Sequence, residues 1–176
     1  ASLPDGTFIA AVAEGWSIGD HTWHYRFDQT GERIGRHHVM SFPPSDSTYH
    51  YFSNVTPLSD GGFVLCGIKG RPSGQLRGLL VRLDSTGQIV WSRDYVHAQH
   101  LTCVREMSDG GFAVTGYRNA YSDRSVLMRT SSIGDIQWIR YTGGLAHGSG
   151  VVRIDEDGAV ITWGTAHTSE MPPYSE

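Results

Sequence analysis

Apolar residues along this chain come in short runs separated by polar turns, and no long stretch repeats at the spacing of a helix. The runs Phe63-Val64-Leu65-Cys66, Leu79-Leu80-Val81-Arg82-Leu83 and Gln88-Ile89-Val90-Trp91 are rich in β-branched, aromatic and aliphatic residues, which predicts strands. The stretch from Leu101 to Met107 alternates only in part and predicts a further strand. Earlier strands are expected over 7–13, 22–27, 33–42 and 49–58, and later ones over 151–154 and 159–163. The order of runs and turns between Ser59 and Tyr95 is repeated between Ser108 and Tyr141, and weaker copies flank both.

The punctuation repeats with the runs. Asp5-Gly6, Asp60-Gly61, Asp109-Gly110 and Asp157-Gly158 recur at intervals of about 50 residues, and such dipeptides supply the positive φ that tight hairpins need. A second set of turns ends in Gly31, Gly87 and Gly134. Five residues before these glycines stand Arg26, Arg82 and Arg129; four residues after the last two stand Trp91 and Trp138, with Gly35 in the first copy. Asp84 is placed to accept hydrogen bonds from the amides of its own turn.

Four antiparallel strands per unit, at 45–50-residue spacing, predict an all-β fold: a β-propeller-like array of four-stranded antiparallel blades, about three and a half in this chain. The pattern Asp-Gly-Gly, aliphatic run, Gly, then Leu-x-Arg-Leu-Asp-x-x-Gly-x-x-x-Trp resembles a loosely defined bacterial propeller-blade repeat, and the resemblance covers essentially the whole chain. It implies architecture and says little about activity. One repeat domain is expected over 1–176, with blades at about 1–42, 49–95, 97–142 and a partial one at 147–176. Trp91 and Trp138 are expected to fill the wedge between neighbouring blades. A β-sandwich would not need such regular copies, and a β-solenoid coil would be shorter. A closed ring needs at least four blades, so completion by self-association, by a second chain or by more of the same polypeptide is expected.

Composition narrows the classes. Net charge is −4, which gives no basic footprint for nucleic acid, and no apolar stretch reaches the length of a membrane span. The chain begins Ala1-Ser2-Leu3, without Met, and reads as a processed or partial polypeptide. A single lysine, Lys69, beside abundant Gly, Ser, Thr and Trp leans towards a secreted or periplasmic protein. Cys66 and Cys103 lie in apolar runs and are expected as buried thiols, a bridge between neighbouring units being the alternative.

Candidate chemistry is sparse. Aligning Val55, Val104 and Val151 puts Tyr51, His100 and His147 in register, with His50 one step off. In a propeller these positions converge near the axis, where His100 and His147 could ligate a divalent metal (Zn, Fe or Ca) or serve as polar rim residues. The pairs His21/His24 and His97/His100 have metal-like spacing, but in strands such residues face opposite sides. Arg26, Arg82 and Arg129 read as a structural contact repeated in each unit, to Asp or a turn carbonyl. Aromatics in or beside the variable segments carry the recognition signal: Trp16, Trp23, Tyr25, Tyr49, Tyr51, Tyr117 and Tyr121, with Asn119, Asp123 and Arg124 as hydrogen-bonding neighbours. Asp155, Glu156 and Asp157 read as hairpin chemistry. No nucleophile elbow, phosphate-binding loop or dinucleotide fingerprint is present. The expected function is therefore recognition of a small-molecule or glycan ligand without a cofactor. The alternatives are a metal-dependent lyase or hydrolase with axial histidines and a structural subunit that completes a partner's propeller.

Overall fold

The structure, a computed structural model, describes residue 3 and residues 5–14, 21–41, 48–70, 74–119, 122–142, 146–154 and 160–166. These residues form thirteen strands and no helix. Strands β1 (Phe8–Glu14), β2 (His21–Phe27) and β3 (Arg33–Ser41) make one antiparallel sheet. Strands β4 (Tyr49–Pro57), β5 (Phe63–Gly70), β6 (Leu76–Leu83) and β7 (Ile89–Tyr95) make the second, in sequence order. The third repeats this order with β8 (His100–Glu106), β9 (Phe112–Asn119), β10 (Ser122–Thr130) and β11 (Ile136–Thr142). Strands β12 (Ala146–Ile154) and β13 (Val160–Ala166) pair as a two-stranded sheet.

The repeated turns explain the hairpins at one end. Gly61 and Gly110 adopt φ of 83° and 77°, in the left-handed region that a β-carbon disfavours. Asp60 and Asp109 each accept the amide of the residue two positions on, Gly62 or Gly111, at 3.0 Å. The other carboxylate oxygen pairs with the arginine of the third strand of the unit: Asp60 with Arg82, Asp109 with Arg129, and likewise Asp5 with Arg26. The repeated arginines are thus clasps on the hairpins. Each clasp has its carboxylate in solvent, where screening keeps its contribution small. Asp84 accepts from the Thr86 amide (2.8 Å), the Thr86 hydroxyl (2.7 Å) and the Gln88 amide (2.9 Å), and Asp28 repeats the arrangement.

The second sheet is buried on both faces. Neighbouring residues on a strand point to opposite sides, yet Val64 and Leu65 both have 0% exposure. Phe63, Leu65, Leu79, Val81 and Leu83 form a cluster with Ile9 of the first sheet and with Phe52. Val64, Cys66 and Leu80 meet Leu101, Val104, Phe112, Val114, Val126 and Met128 of the third sheet. Trp91 packs on this cluster with its ring edge-on to Phe112, centroids 5.8 Å apart, at the boundary between the second and third sheets. The third sheet turns Cys103, Met107 and Ala113 to its other side, and β12 lies against β8, β9 and β10. Both cysteines are buried thiols with no disulfide between them. Burial pushes the Cys66 thiol well above its ordinary pKa.

Polar groups tie the second and third sheets together. The Thr56 hydroxyl donates to the Val104 carbonyl at 2.7 Å, the Tyr95 hydroxyl to the Gly134 carbonyl at 2.6 Å, and the Ser59 amide to the Glu106 carboxylate at 2.7 Å.

One irregularity recurs in the first strand of three sheets. The ladder slips between Phe52 and Asn54 in β4, between Leu101 and Cys103 in β8, and between Gly148 and Gly150 in β12. Ser53, Thr102 and Ser149 are the extra residues of these β-bulges. The slip explains the imperfect alternation of β8: Leu101 and Val104, three apart, share a face. Opposite each bulge stands a glycine. A β-carbon on Gly67 would lie 1.8 Å from the Tyr51 carbonyl oxygen, and one on Gly116 would lie 2.0 Å from the His100 carbonyl oxygen.

Backbone cannot yield to such an overlap. Gly67→Ala and Gly116→Ala are each expected to destabilise the fold by at least about 2–3 kcal/mol. Gly35→Ala, whose added carbon meets only the Arg26 β-carbon at 3.7 Å, serves as the near-neutral control. Urea midpoints of the three variants check the ordering, and equal midpoints would refute this account of the bulge.

Candidate functional site

Antiparallel hairpins sort the connections by end. The Asp-Gly turns lie at one end of the second and third sheets, and the 70–76 and 95–100 connections lie at the other. At this second end the starts of β4 and β8 and the finish of β9 come together. Register confirms that Tyr51, His100 and His147 are equivalent, since each stands two residues before its bulge.

His100 is the centre of the cluster. Its Nε2 meets the Ser53 hydroxyl across the sheet boundary, and its Nδ1 meets the Tyr117 hydroxyl. The Tyr117 ring stands edge-on to the imidazole at 4.9 Å, and Tyr51 stands edge-on from the other sheet at 6.2 Å. Burial lowers the His100 pKa from 6.5 to about 4, so the ring is neutral at pH 7. Burial, with Tyr51 nearby, raises the Tyr117 phenol. Ser53 and Tyr51 are exposed, Tyr51 at 42%, so the cluster opens to solvent on one side. A hydroxyl, an imidazole and two phenols are thus brought together at this end of the sheets.

Both ring nitrogens of His100 are engaged by hydroxyls, and among the described residues no three His, Cys, Asp or Glu side chains lie close enough to hold a metal ion. The His147 side chain, on which a metal set would also depend, lies outside the described residues, as does that of Arg124 on β10. Trp16 and Tyr121 are outside the described residues altogether.

The other singled-out aromatics have different partners: Trp23 lies on β2, and Tyr49 on β4 two residues before Tyr51. Trp23, on β2, carries the Arg36 guanidinium 3.8 Å from its ring centroid and the His38 ring at 4.9 Å. Tyr49 lies over the backbone of Gly70, where any β-carbon would strike its ring. His24 is buried between the first two sheets, against Phe63 and His37, whereas His38 meets Trp23, so the adjacent His37 and His38 diverge.

A polar concavity lies along the second sheet at the same end, lined by Lys69, Gly70, Gln75, Arg77 and Asp94. Lys69 and Asp94 pair at 2.9 Å. A broader one, lined by Gln75, Leu76, Arg77, Val96 and Gln99 among others, adjoins it. His50, buried nearby, is held at about pKa 4, mainly by burial and then by Lys69, with Asp94 opposing.

Ser53 is the member of the cluster that inspection of the sequence passes over. Its partner is 47 positions away, and no local motif marks it. The available signal is the recurrence of a hydroxyl residue, Ser53, Thr102 and Ser149, at one step of the repeat.

No family model matches the chain, and no curated protein matches it. Among solved structures it is similar to a protein of unknown function from Bacteroides caccae, with 14% identity and a TM-score of 0.34. That match covers 80% of this chain and 65% of the other. A likeness at this level fixes neither fold nor function, which leaves the site geometry to carry the reading.

His24, His50 and His100 all have folded-state values of about 4 against 6.5 for an open imidazole. Burial is the leading cause in each; His37 and Arg26 add to it at His24, and Lys69, opposed by Asp94, at His50. Between these values the unfolded chain binds more protons than the folded one, so stability falls as pH drops from about 6.5 to about 4. Urea titrations at pH 7 and pH 4.5 should show the lower midpoint at pH 4.5. His50→Gln should shrink the difference, and a difference unchanged in that variant would contradict the assignment.

Proposed function

We propose that the chain is an arc of β-propeller blades acting as a recognition module, whose ligand seats where Tyr51, Ser53, His100 and Tyr117 converge. The antiparallel sheets repeat one strand order and lie face to face, as blades around an axis do. The convergence itself carries the functional reading. Two phenol rings flank an imidazole and a hydroxyl at an open strand end, outside the apolar core. Aromatic faces stack on the apolar side of sugar rings while hydroxyl and imidazole groups bond the sugar hydroxyls. Carbohydrate is therefore the proposed ligand class.

Further blades, from a second copy or another chain, would complete the ring. Phe63 and Phe112 follow their Asp-Gly turns at equivalent positions and are buried at 6% and 1% exposure, whereas Phe8, their equivalent in the first sheet, is 45% exposed. An extracellular or periplasmic site of action fits a glycan ligand.

A glycan array of immobilised saccharides is expected to give hits. Tyr51→Ala and Tyr117→Ala should each weaken the best hit by about tenfold, equivalent to about 1.4 kcal/mol. Binding unchanged in both variants, or an array with no hits at high valency, would remove this reading. Native mass spectrometry is expected to find the chain in a fixed higher stoichiometry, and a lone 19.4 kDa species would count against ring completion.

A further inference from the structure

We infer that Ser53 is an acyl-accepting nucleophile, with His100 as its base and Tyr117 as the positioning residue, and that the site hydrolyses carboxylic esters of small acyl groups. This goes beyond recognition and rests on the geometry of three side chains. An activated serine needs a base within hydrogen-bond reach, and that base needs a third group to hold its ring. The Ser53 hydroxyl meets His100 Nε2, and His100 Nδ1 meets the Tyr117 hydroxyl. The order nucleophile, imidazole, orienting group is complete, and it is assembled across two sheets.

The fold supplies a reason for the alignment. The bulge in β4 takes Ser53 out of ladder register beside β8. Gly67 and Gly116 let the bulged backbones approach their neighbours, which holds Tyr51 and His100 in place. Ser53 is exposed, so a substrate carbonyl can reach its oxygen. The imidazole is half-buried, has Tyr51 and Tyr117 as titratable ring neighbours among the described residues, and is neutral above about pH 4. With the Nδ1 proton donated to the Tyr117 oxygen, Nε2 is left as the acceptor.

The reaction balances on these groups. Ser53 Oγ attacks the ester carbonyl carbon and its proton passes to His100 Nε2, while the carbonyl electron pair moves onto oxygen. That pair returns, the C–O bond to the alcohol breaks, and the alcohol leaves with the proton from Nε2. Water then adds to the acyl-serine, giving its proton to Nε2. The bond to Ser53 breaks, the carboxylic acid leaves, and Ser53 recovers its proton. An imidazole whose conjugate acid has a low pKa is a weak base towards serine. Weak activation of the nucleophile suits the more electrophilic ester carbonyl better than the amide. Ser53 and Tyr51 are exposed, so a small acyl group such as acetyl can reach the Ser53 oxygen.

The test uses the full chain with p-nitrophenyl acetate and a fluorophosphonate probe. Turnover above the buffer rate is expected, with the probe mapped by mass spectrometry to Ser53. Ser53→Ala should abolish labelling and return turnover to the buffer rate. His100→Gln should lower kcat/KM by about 100-fold. Tyr117→Phe should lower kcat more than KM and move the acid limb of the pH–rate profile, which a purely structural tyrosine would not do. Far-UV circular dichroism verifies folding, and probe mapping on the wild-type chain stands even if a variant unfolds. Absence of wild-type labelling and turnover, or equal turnover in Ser53→Ala, overturns the inference. Glycan binding with no labelling rejects the esterase alone, and labelling with no glycan binding rejects the recognition reading alone.

Discussion

A sheet with two apolar faces cannot stand in water by itself, and that requirement governs this molecule. Val64 and Leu65 are successive residues on opposite sides of one strand, and neither is exposed. The second sheet is therefore clad on both sides by its neighbours. The repeat of the sequence follows from this need, because each unit offers its neighbour the same kind of surface. The wedge between the second and third sheets is filled by Trp91 against Phe112, and the boundary is closed by Thr56, Tyr95 and Ser59 reaching across it. Removing apolar area from water provides the drive, at about 25 cal/mol per Å². The hydrogen bonds add register to an attraction that has none of its own.

Much of this was legible in the residues. Strand runs, the Asp-Gly turns and the clasping role of Arg26, Arg82 and Arg129 follow from local pattern, because turn chemistry and strand alternation are short-range. So did the equivalence of Tyr51, His100 and His147, which depends only on counting back from an aligned valine. Ser53 was not legible, because its importance arises when two sheets meet. The bulges also hid: one extra residue looks like noise in an alternating pattern until the opposite glycine shows why the backbone crowds there. Trp23 and Tyr49, singled out as recognition aromatics in strands the sequence also marks, pack against Arg36 and His38 and against Gly70 of their own sheets, contacts that spacing alone does not reveal.

The repeated bulge connects scaffold to chemistry. A regular ladder would leave residues 53 and 102 in step with their neighbours. The slip instead gives β4 and β8 a local twist just past the positions occupied by Tyr51 and His100. The apolar layer ends there and a polar cluster begins. Burial keeps the imidazole uncharged, and each of its ring nitrogens has a hydroxyl partner. A structural device used in several units thus brings a histidine and a tyrosine of the third sheet beside a serine of the second.

The two ends of the sheets differ in how much change they tolerate. At one end the chain reverses through tight corners, each cinched by a carboxylate and an arginine, with glycines near φ 80° that few substitutions would leave intact. At the other end the connections differ in length between units, from two residues between β9 and β10 to seven between β3 and β4. New residues can accumulate there without unseating any strand, so divergence among related chains should gather at that rim. The architecture would then persist while the specificity drifts.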